Sequence, residues 1–207
     1  MNRLRLLRGN ERGSVPIEGV MGALLLLGWY VVAFQFYDAF RSKGLATRAS
    51  YTVGDLISRE KTPIGPKYLA GTKKLFDYIQ GNRSPSRSWM RMSIIYCRDV
   101  PQNNHPCDGT NKKFSLETSQ NTGGVANHTA ESINKEFARI PKMAEGDYAV
   151  VLETSVFYNP LFDIGDKGFS FDGGSTWTRI GLSSSLRFSN FVVTRPRGPP
   201  NVWNNNY

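Results

Sequence analysis

Hydrophobic and polar positions follow three different patterns along this chain, and each predicts a different kind of element. From Gly19 to Phe34 there is no alternation: GVMGALLLLGWYVVAF carries no charge. Extended to Val15 and Tyr37 the run is 23 residues, interrupted only by Glu18 near one end and Gln35 near the other. At about 1.5 Å per residue such a helix reaches roughly 35 Å, enough to cross a hydrocarbon core of about 30 Å. Trp29, Tyr30 and Tyr37 lie toward its far end, where amphipathic rings favour the headgroup zone. A buried core helix usually has a shorter apolar run, so the pattern predicts a membrane span.

Past the run the period becomes helical. Ala33, Tyr37, Phe40, Gly44, Thr47 and Tyr51 make one stripe, and Leu45, Ala49, Val53 and Leu56 make another. They describe an amphipathic continuation ending near Ile57 or Arg59, before Pro63, so that one long helix begins in the membrane and ends against a folded domain. Tyr68, Leu69, Leu75, Phe76 and Ile79 trace a short helix closed by Gly81. The period then falls to two. In WMRMSIIYC, Trp89, Arg91, Ser93, Ile95 and Cys97 alternate with Met90, Met92, Ile94 and Tyr96, which predicts a strand. Lys113–Thr118 reads as a weaker strand. Thr129 caps a helix that Pro141 stops, with Ile133, Phe137 and Ile140 on one face. Because Ser132 stands at its third position, no capping box is expected. Tyr148–Tyr158 is the strongest strand, and a last strand runs from about Leu186 to Thr194.

The sum is an α+β fold: a long N-terminal transmembrane helix continuing into a small domain with a mostly antiparallel sheet and short helices. Residues 1–13 read as a basic cytoplasmic leader, 14–60 as the transmembrane and juxtamembrane helix, and 61–207 as an extracytoplasmic domain. About 150 residues suit one compact domain, and no repeat of 20–50 residues is apparent.

Charge sets the expected orientation. MNRLRLLRGNER holds Arg3, Arg5, Arg8 and Arg12 against Glu11, and such a tail tends to stay cytoplasmic. Arg41, Lys43 and Arg48 on the far flank weaken the contrast. A removable signal peptide fits less well, because Gln35, Phe36, Tyr37, Asp38 and Ala39 offer no small-x-small cleavage site. Cys97 and Cys107 bracket the polar stretch RDVPQNNHP. Outside the cytoplasm a pair flanking a short loop commonly forms a disulfide. The alternatives are two free thiols, or a metal pair with His105, for which no third and fourth ligand stands nearby.

Directly ahead of the apolar run stand Gly13, Ser14, Val15, Pro16, Ile17 and Glu18. A carboxylate in lipid costs about 2.5–3.5 kcal/mol at a helix centre and less near an end, so something should offset it. If the chain were cut after Gly13, Ser14 would carry a free amine and Glu18 would become the fifth residue. The acid would then sit in the first turn, where the helix dipole favours negative charge and Pro16 is tolerated.

GSVPIE before a long apolar helix, with RLRLLRGNER in front, resembles the type IV pilin-like prepilins, and within them the TadE/TadF-like minor pseudopilins of tight-adherence pili. The resemblance extends to FYDAFRSKGLATRASYTVGDLISRE, YAVVLETSVFYNPLF and FSNFVVTRPRGPP. It implies cleavage by a prepilin peptidase after Gly13 to leave Ser14 at the terminus. It also implies that Glu18 neutralises the amino terminus of a neighbouring subunit. The implied partners are the major pilin and sibling minor pilin-like subunits. The implied location is the bacterial inner membrane, single-pass, with the amino terminus cytoplasmic and the C-terminal domain periplasmic or in the pilus. Gly19 departs from the pattern, since many relatives place an aromatic residue after the glutamate.

Catalytic motifs are scarce. His105 and His128 read as polar-loop residues without metal-ligand spacing, and no G-x-S-x-G elbow, P-loop or dinucleotide fingerprint occurs. No enzyme activity, cofactor or metal is therefore expected. Ser170–Trp177, SFDGGSTW, fits a single Asp-box pattern and reads as a surface hairpin. Together with carboxylates such as Asp147 and Glu153 it motivates an alternative, a signal-anchored periplasmic glycan-acting enzyme. Asp163, Asp166 and Asp172 could gather around calcium, but not with EF-hand spacing. Net charge is +9, of which residues 1–13, with four arginines and one glutamate, supply +3. Arg83, Arg87, Arg91 and Arg98, and Arg195 with Arg197, motivate a DNA- or surface-binding pilin. A balance of +6 on the remainder is commonplace, so a solvated basic surface and no nucleic-acid partner are expected.

Overall fold

The computed structural model describes residues 14–81, 87–97, 107, 113–161, 169–170, 177–178, 182–198 and 202–206. The architecture is α+β. Helix α1 spans Ser14–Arg59 as one element of 46 residues, since after Pro16 no proline interrupts the apolar run or its amphipathic continuation. It stops at Arg59. The Glu60 carboxylate then accepts from the Thr62 hydroxyl at 2.7 Å and from the Lys61 and Thr62 amides at 3.0 Å. The Thr62 hydroxyl first, and then the amides, hold the Glu60 carboxyl below its ordinary range.

The chain divides into two compact units, Met1–Phe40 with Asn159–Ser184, and Arg41–Tyr158 with Ser185–Tyr207. The described part of the first unit contains the apolar portion of α1 and two short strands, β4 (Phe169–Ser170) and β5 (Trp177–Thr178). These pair antiparallel, Phe169 opposite Thr178 and Ser170 opposite Trp177, which places the two flanks of SFDGGSTW side by side. Its residues 171–176 lie outside the described residues, as do Asp163 and Asp166. Gln35, the amide within the apolar run, is buried and donates to the Leu182 carbonyl at 3.1 Å. A buried amide without that bond would cost about 1–3 kcal/mol.

The second unit is built on a four-stranded antiparallel sheet in the order β2-β1-β3-β6, with β1 at Ser88–Cys97, β2 at Phe114–Asn121, β3 at Tyr148–Phe157 and β6 at Arg187–Thr194. Strand β2 thus extends beyond its expected end at Thr118. Its register with β1 shifts between Ile94, opposite Thr118, and Ile95, opposite Leu116, leaving Glu117 as the bulged residue.

Both faces of this sheet are covered. One carries Met90, Met92, Ile94, Val150, Leu152 and Val192, and buries them against Ala49, Val53 and Ile57 of α1 and against Leu69 and Phe76 of helix α2 (Pro66–Gln80). Gly81 closes α2 in the left-handed conformation, at φ 71°. Helix α1 approaches closely at Gly54, where an added Cβ would come within 3.2 Å of Val192 Cγ1. Beside it Ser50 donates to the Ala46 carbonyl at 2.8 Å and receives the Thr154 hydroxyl at 2.7 Å, so this buried helix–sheet seam is satisfied. The opposite face carries Ile95, Cys97, Ala149 and Val151, packed against Phe114, Ile133, Ile140 and Met143.

That second cover consists of helix α3 (Ala130–Lys135) and a single 3-10 turn, Phe137–Arg139. The helix is shorter than the spacing of Ile133, Phe137 and Ile140 predicts, because the turn tightens after Lys135. The expectation of no capping box is overturned. The Thr129 side chain accepts from the Ser132 amide, and the Ser132 side chain accepts from the Thr129 amide. A serine hydroxyl has both the reach and the acceptor that the box needs.

Tyr68 supplies a pH test of this packing. Its hydroxyl is buried with no hydrogen-bond partner among the described residues. Desolvation first, and the Glu60 charge second, push it from about 10 up to about 12. Because the folded value is raised, the contribution of the neutral phenol is intact below about pH 10 and is lost as pH climbs toward about 12. Tyr68→Phe should flatten the fall in unfolding free energy across that window. Identical slopes in the variant and the parent would refute the assignment.

Candidate functional site

Three arrangements stand out, and the first is the exposed apolar surface of α1. Ile17, Val20, Met21, Leu24, Leu25 and Leu26 are all at least 60 % exposed, and Trp29, Tyr30 and Tyr37 are exposed with them. The most apolar stretch of the helix has none of its residues buried. A helix that is hydrophobic all round and uncovered is long and apolar enough to span a membrane. Ser14 opens the helix. Glu18 is exposed among the apolar residues and falls beyond the first turn, which contains no acid. Dipole stabilisation of an acid is strongest within the first turn and decays beyond it. Gly13 lies outside the described residues.

The second arrangement is the cysteine pair. Cys97 and Cys107 are buried at disulfide distance, with Cα atoms 5.8 Å apart, and no free cysteine remains. The Cys107 amide donates to the Met143 carbonyl at 2.9 Å, and the Cys97 amide donates to the Asp147 carbonyl at 3.0 Å. The link therefore ties the end of β1 to the segment that leads into β3. His105 lies outside the described residues.

The third arrangement was not legible in the sequence. Arg91 and Glu153 are directly opposite on β1 and β3. Arg91 Nε and Nη2 both reach Glu153 Oε2 at 2.7 Å, and His128 Nε2 meets the same oxygen at 2.7 Å. His128 Nδ1 is 2.8 Å from Ser132 Oγ, its backbone amide donates to Ser119 Oγ at 2.8 Å, and Arg91 Nη1 donates to the Ala126 carbonyl at 2.7 Å. Both His128 and Glu153 are buried. His128 is thus a core residue and not the polar-loop histidine that its neighbours suggest. Arg91 is committed to an ion pair and cannot serve in a basic surface patch. The available signal was cross-strand: Arg91 and Glu153 share the same phase of two strong alternating patterns, and opposite charges pair at such positions.

A hydroxyl, an imidazole and a carboxylate in contact invite comparison with nucleophilic triads. Here Ser132 Oγ is engaged by the Thr129 amide at 2.8 Å and lies 3.1 Å from the Thr129 carbonyl, so it serves the helix cap. Glu153 is neutralised by the Arg91 guanidinium. The cluster pins the segment between β2 and α3 to the sheet. Asp147, the other carboxylate considered for glycan chemistry, is bound by Arg195, and Arg197 pairs with Asp55 at 2.8 Å. Arg87 lies over the Phe157 ring at 5.9 Å. Arg83 and Arg98 lie outside the described residues. Among the described residues no three His, Cys, Asp or Glu side chains gather as a metal-holding group.

No protein-family model matches this chain, and no curated protein and no solved structure matches it with significance.

Proposed function

We propose that this protein is a minor pilin-like, non-enzymatic subunit that takes part in assembly of a tight-adherence, type IV-like pilus. The observation that carries the reading is Glu18, an acid on the uncovered apolar helix and five residues past Gly13. An ion in that setting needs a partner of opposite charge, and the amine freed at Ser14 by a prepilin peptidase cutting after Gly13 supplies one from a neighbouring subunit. Leu24 to Leu27 and the surrounding apolar surface would pack on the helices of the major pilin or of a sibling minor subunit. The basic leader keeps the amino terminus in the cytoplasm, and the Cys97–Cys107 link suits a periplasmic sheet domain.

The test is the terminus itself. Edman sequencing or mass spectrometry of the protein recovered from inner membranes should begin at Ser14. Glu18→Gln should still insert and be processed, yet lose assembly into fibres by about tenfold or more, as expected for a stranded terminal amine. An intact Met1 together with normal piliation by Glu18→Ala would remove the basis of the proposal.

A further inference from the structure

Helix α2 and the outgoing end of β2 border a cavity of about 800 Å³, within the size range of small-ligand sites. Its apolar lining comes from Pro66, Leu69 and Ala70, and two aromatic residues, Tyr78 and Trp203, line it as well. Tyr78 is 84 % exposed, an aromatic side chain left uncovered by the fold. Gln120 also lines it, and its amide makes no hydrogen bond with the described residues.

The cavity also has a charged wall. Lys73 and Asp77, one helical turn apart, both line it and both are buried. Lys73 Nζ donates to Asp77 Oδ2 and, at 2.7 Å, to Ser88 Oγ, and Ser88 donates to Asp77 Oδ1 at 2.6 Å. A lysine–aspartate pair at this helical spacing is worth about 0.3–0.5 kcal/mol in water. Burying it costs several kcal/mol of desolvation per ion, and well-packed apolar residues would stabilise the site at least as well. The fold thus retains an expensive dipolar pair at the wall of an open, partly aromatic cavity.

That mixture selects among ligands. Lys74 lines the cavity as well, so a phosphate would meet two ammonium groups, but one of them is already held by the Asp77 carboxylate that the phosphate would also face. A wholly apolar guest would desolvate the ion pair further without replacing its water. A polyhydroxylated ring meets every feature. Its hydroxyls donate to the carboxylate and accept from the ammonium, the Gln120 amide does both, and its C–H face covers an aromatic ring. We propose that this cavity is a glycan-binding site that takes one or two hexose units without chemistry on them. It rests on α2, β2 and Trp203 alone and is independent of processing at Gly13.

The experiment is saturation-transfer NMR on the full chain, held in a zwitterionic detergent without a sugar headgroup. Three trisaccharides serve as probes: maltotriose, the N-acetylglucosamine trimer and the galacturonic acid trimer. Saturable transfer to the ring protons of at least one is expected. Tyr78→Ala and Gln120→Ala should each weaken it by about tenfold with an unchanged melting curve. The double variant Lys73→Met, Asp77→Leu should keep the fold, as an apolar replacement of a buried pair does, and lose the transfer. Absence of saturable transfer to all three sugars overturns the proposal. So does transfer that survives Tyr78→Ala and the double variant undiminished.

Discussion

Glu153→Ala is expected to destabilise the sheet unit by about 3–5 kcal/mol, a fall in Tm of roughly 10–20 °C. One carboxylate oxygen holds both Arg91 and His128, and the guanidinium side chain is only 13 % exposed. Removing the acid leaves an uncompensated buried cation and an imidazole without its partner. The loss should also free the Arg91 contact to the Ala126 carbonyl and loosen the segment leading into α3. Hydrogen exchange of the Ser119-bound His128 amide should therefore rise more than exchange in the β1–β3 ladder. The double variant Arg91→Met, Glu153→Leu should cost much less than Glu153→Ala alone, because the desolvation of both ions is removed with them. A double-mutant cycle by urea denaturation measures the difference. Additive losses in that cycle would mean that the two residues do not act as a buried pair.

The second large effect concerns the cysteines. Replacing both by serine should destabilise the same unit by about 3 kcal/mol, the chain-entropy value for a loop of this length. The linked residues are ten apart in sequence. Ile95, Phe114 and Met143 belong to the same hydrophobic cluster as the two cysteines, so opening the link also weakens the cover of this sheet face. The measurement is the urea midpoint of the full chain with and without a phosphine reductant, compared with the Cys97→Ser, Cys107→Ser variant. Reduction should shift the parent to the variant's midpoint and leave the variant unmoved. A midpoint insensitive to reduction in the parent would show that the link does not stabilise the fold.

The two effects differ in how visible they were beforehand. The cysteine pair could be read from spacing and loop composition, because a covalent link between nearby positions depends mainly on local chain geometry. The Glu153 cluster could not. Glu153 sits in a strand whose residues alternate as though one face met solvent, yet eight consecutive residues of β3 are buried. The second face is covered by a helix and turn that follow β2, and a period of two does not reveal whether a polar face meets water or another layer. Ser132 shows the same limit on a smaller scale, since side-chain preferences at a cap position do not fix whether a hydroxyl turns back to the amide.

Alone, the sequence determined the long helix and its approximate end, and the positions of the principal strands. These follow from local periodicity and from the absence of helix breakers, both properties of short stretches of chain. Tertiary structure alone decided the strand order β2-β1-β3-β6 and the two-sided cover of the sheet. It also brought together Arg91, His128 and Glu153, and assembled the cavity between α2 and β2. Each of these joins residues distant along the chain, and such contacts are selected by the free energy of the whole packed unit, which no single stretch of sequence contains.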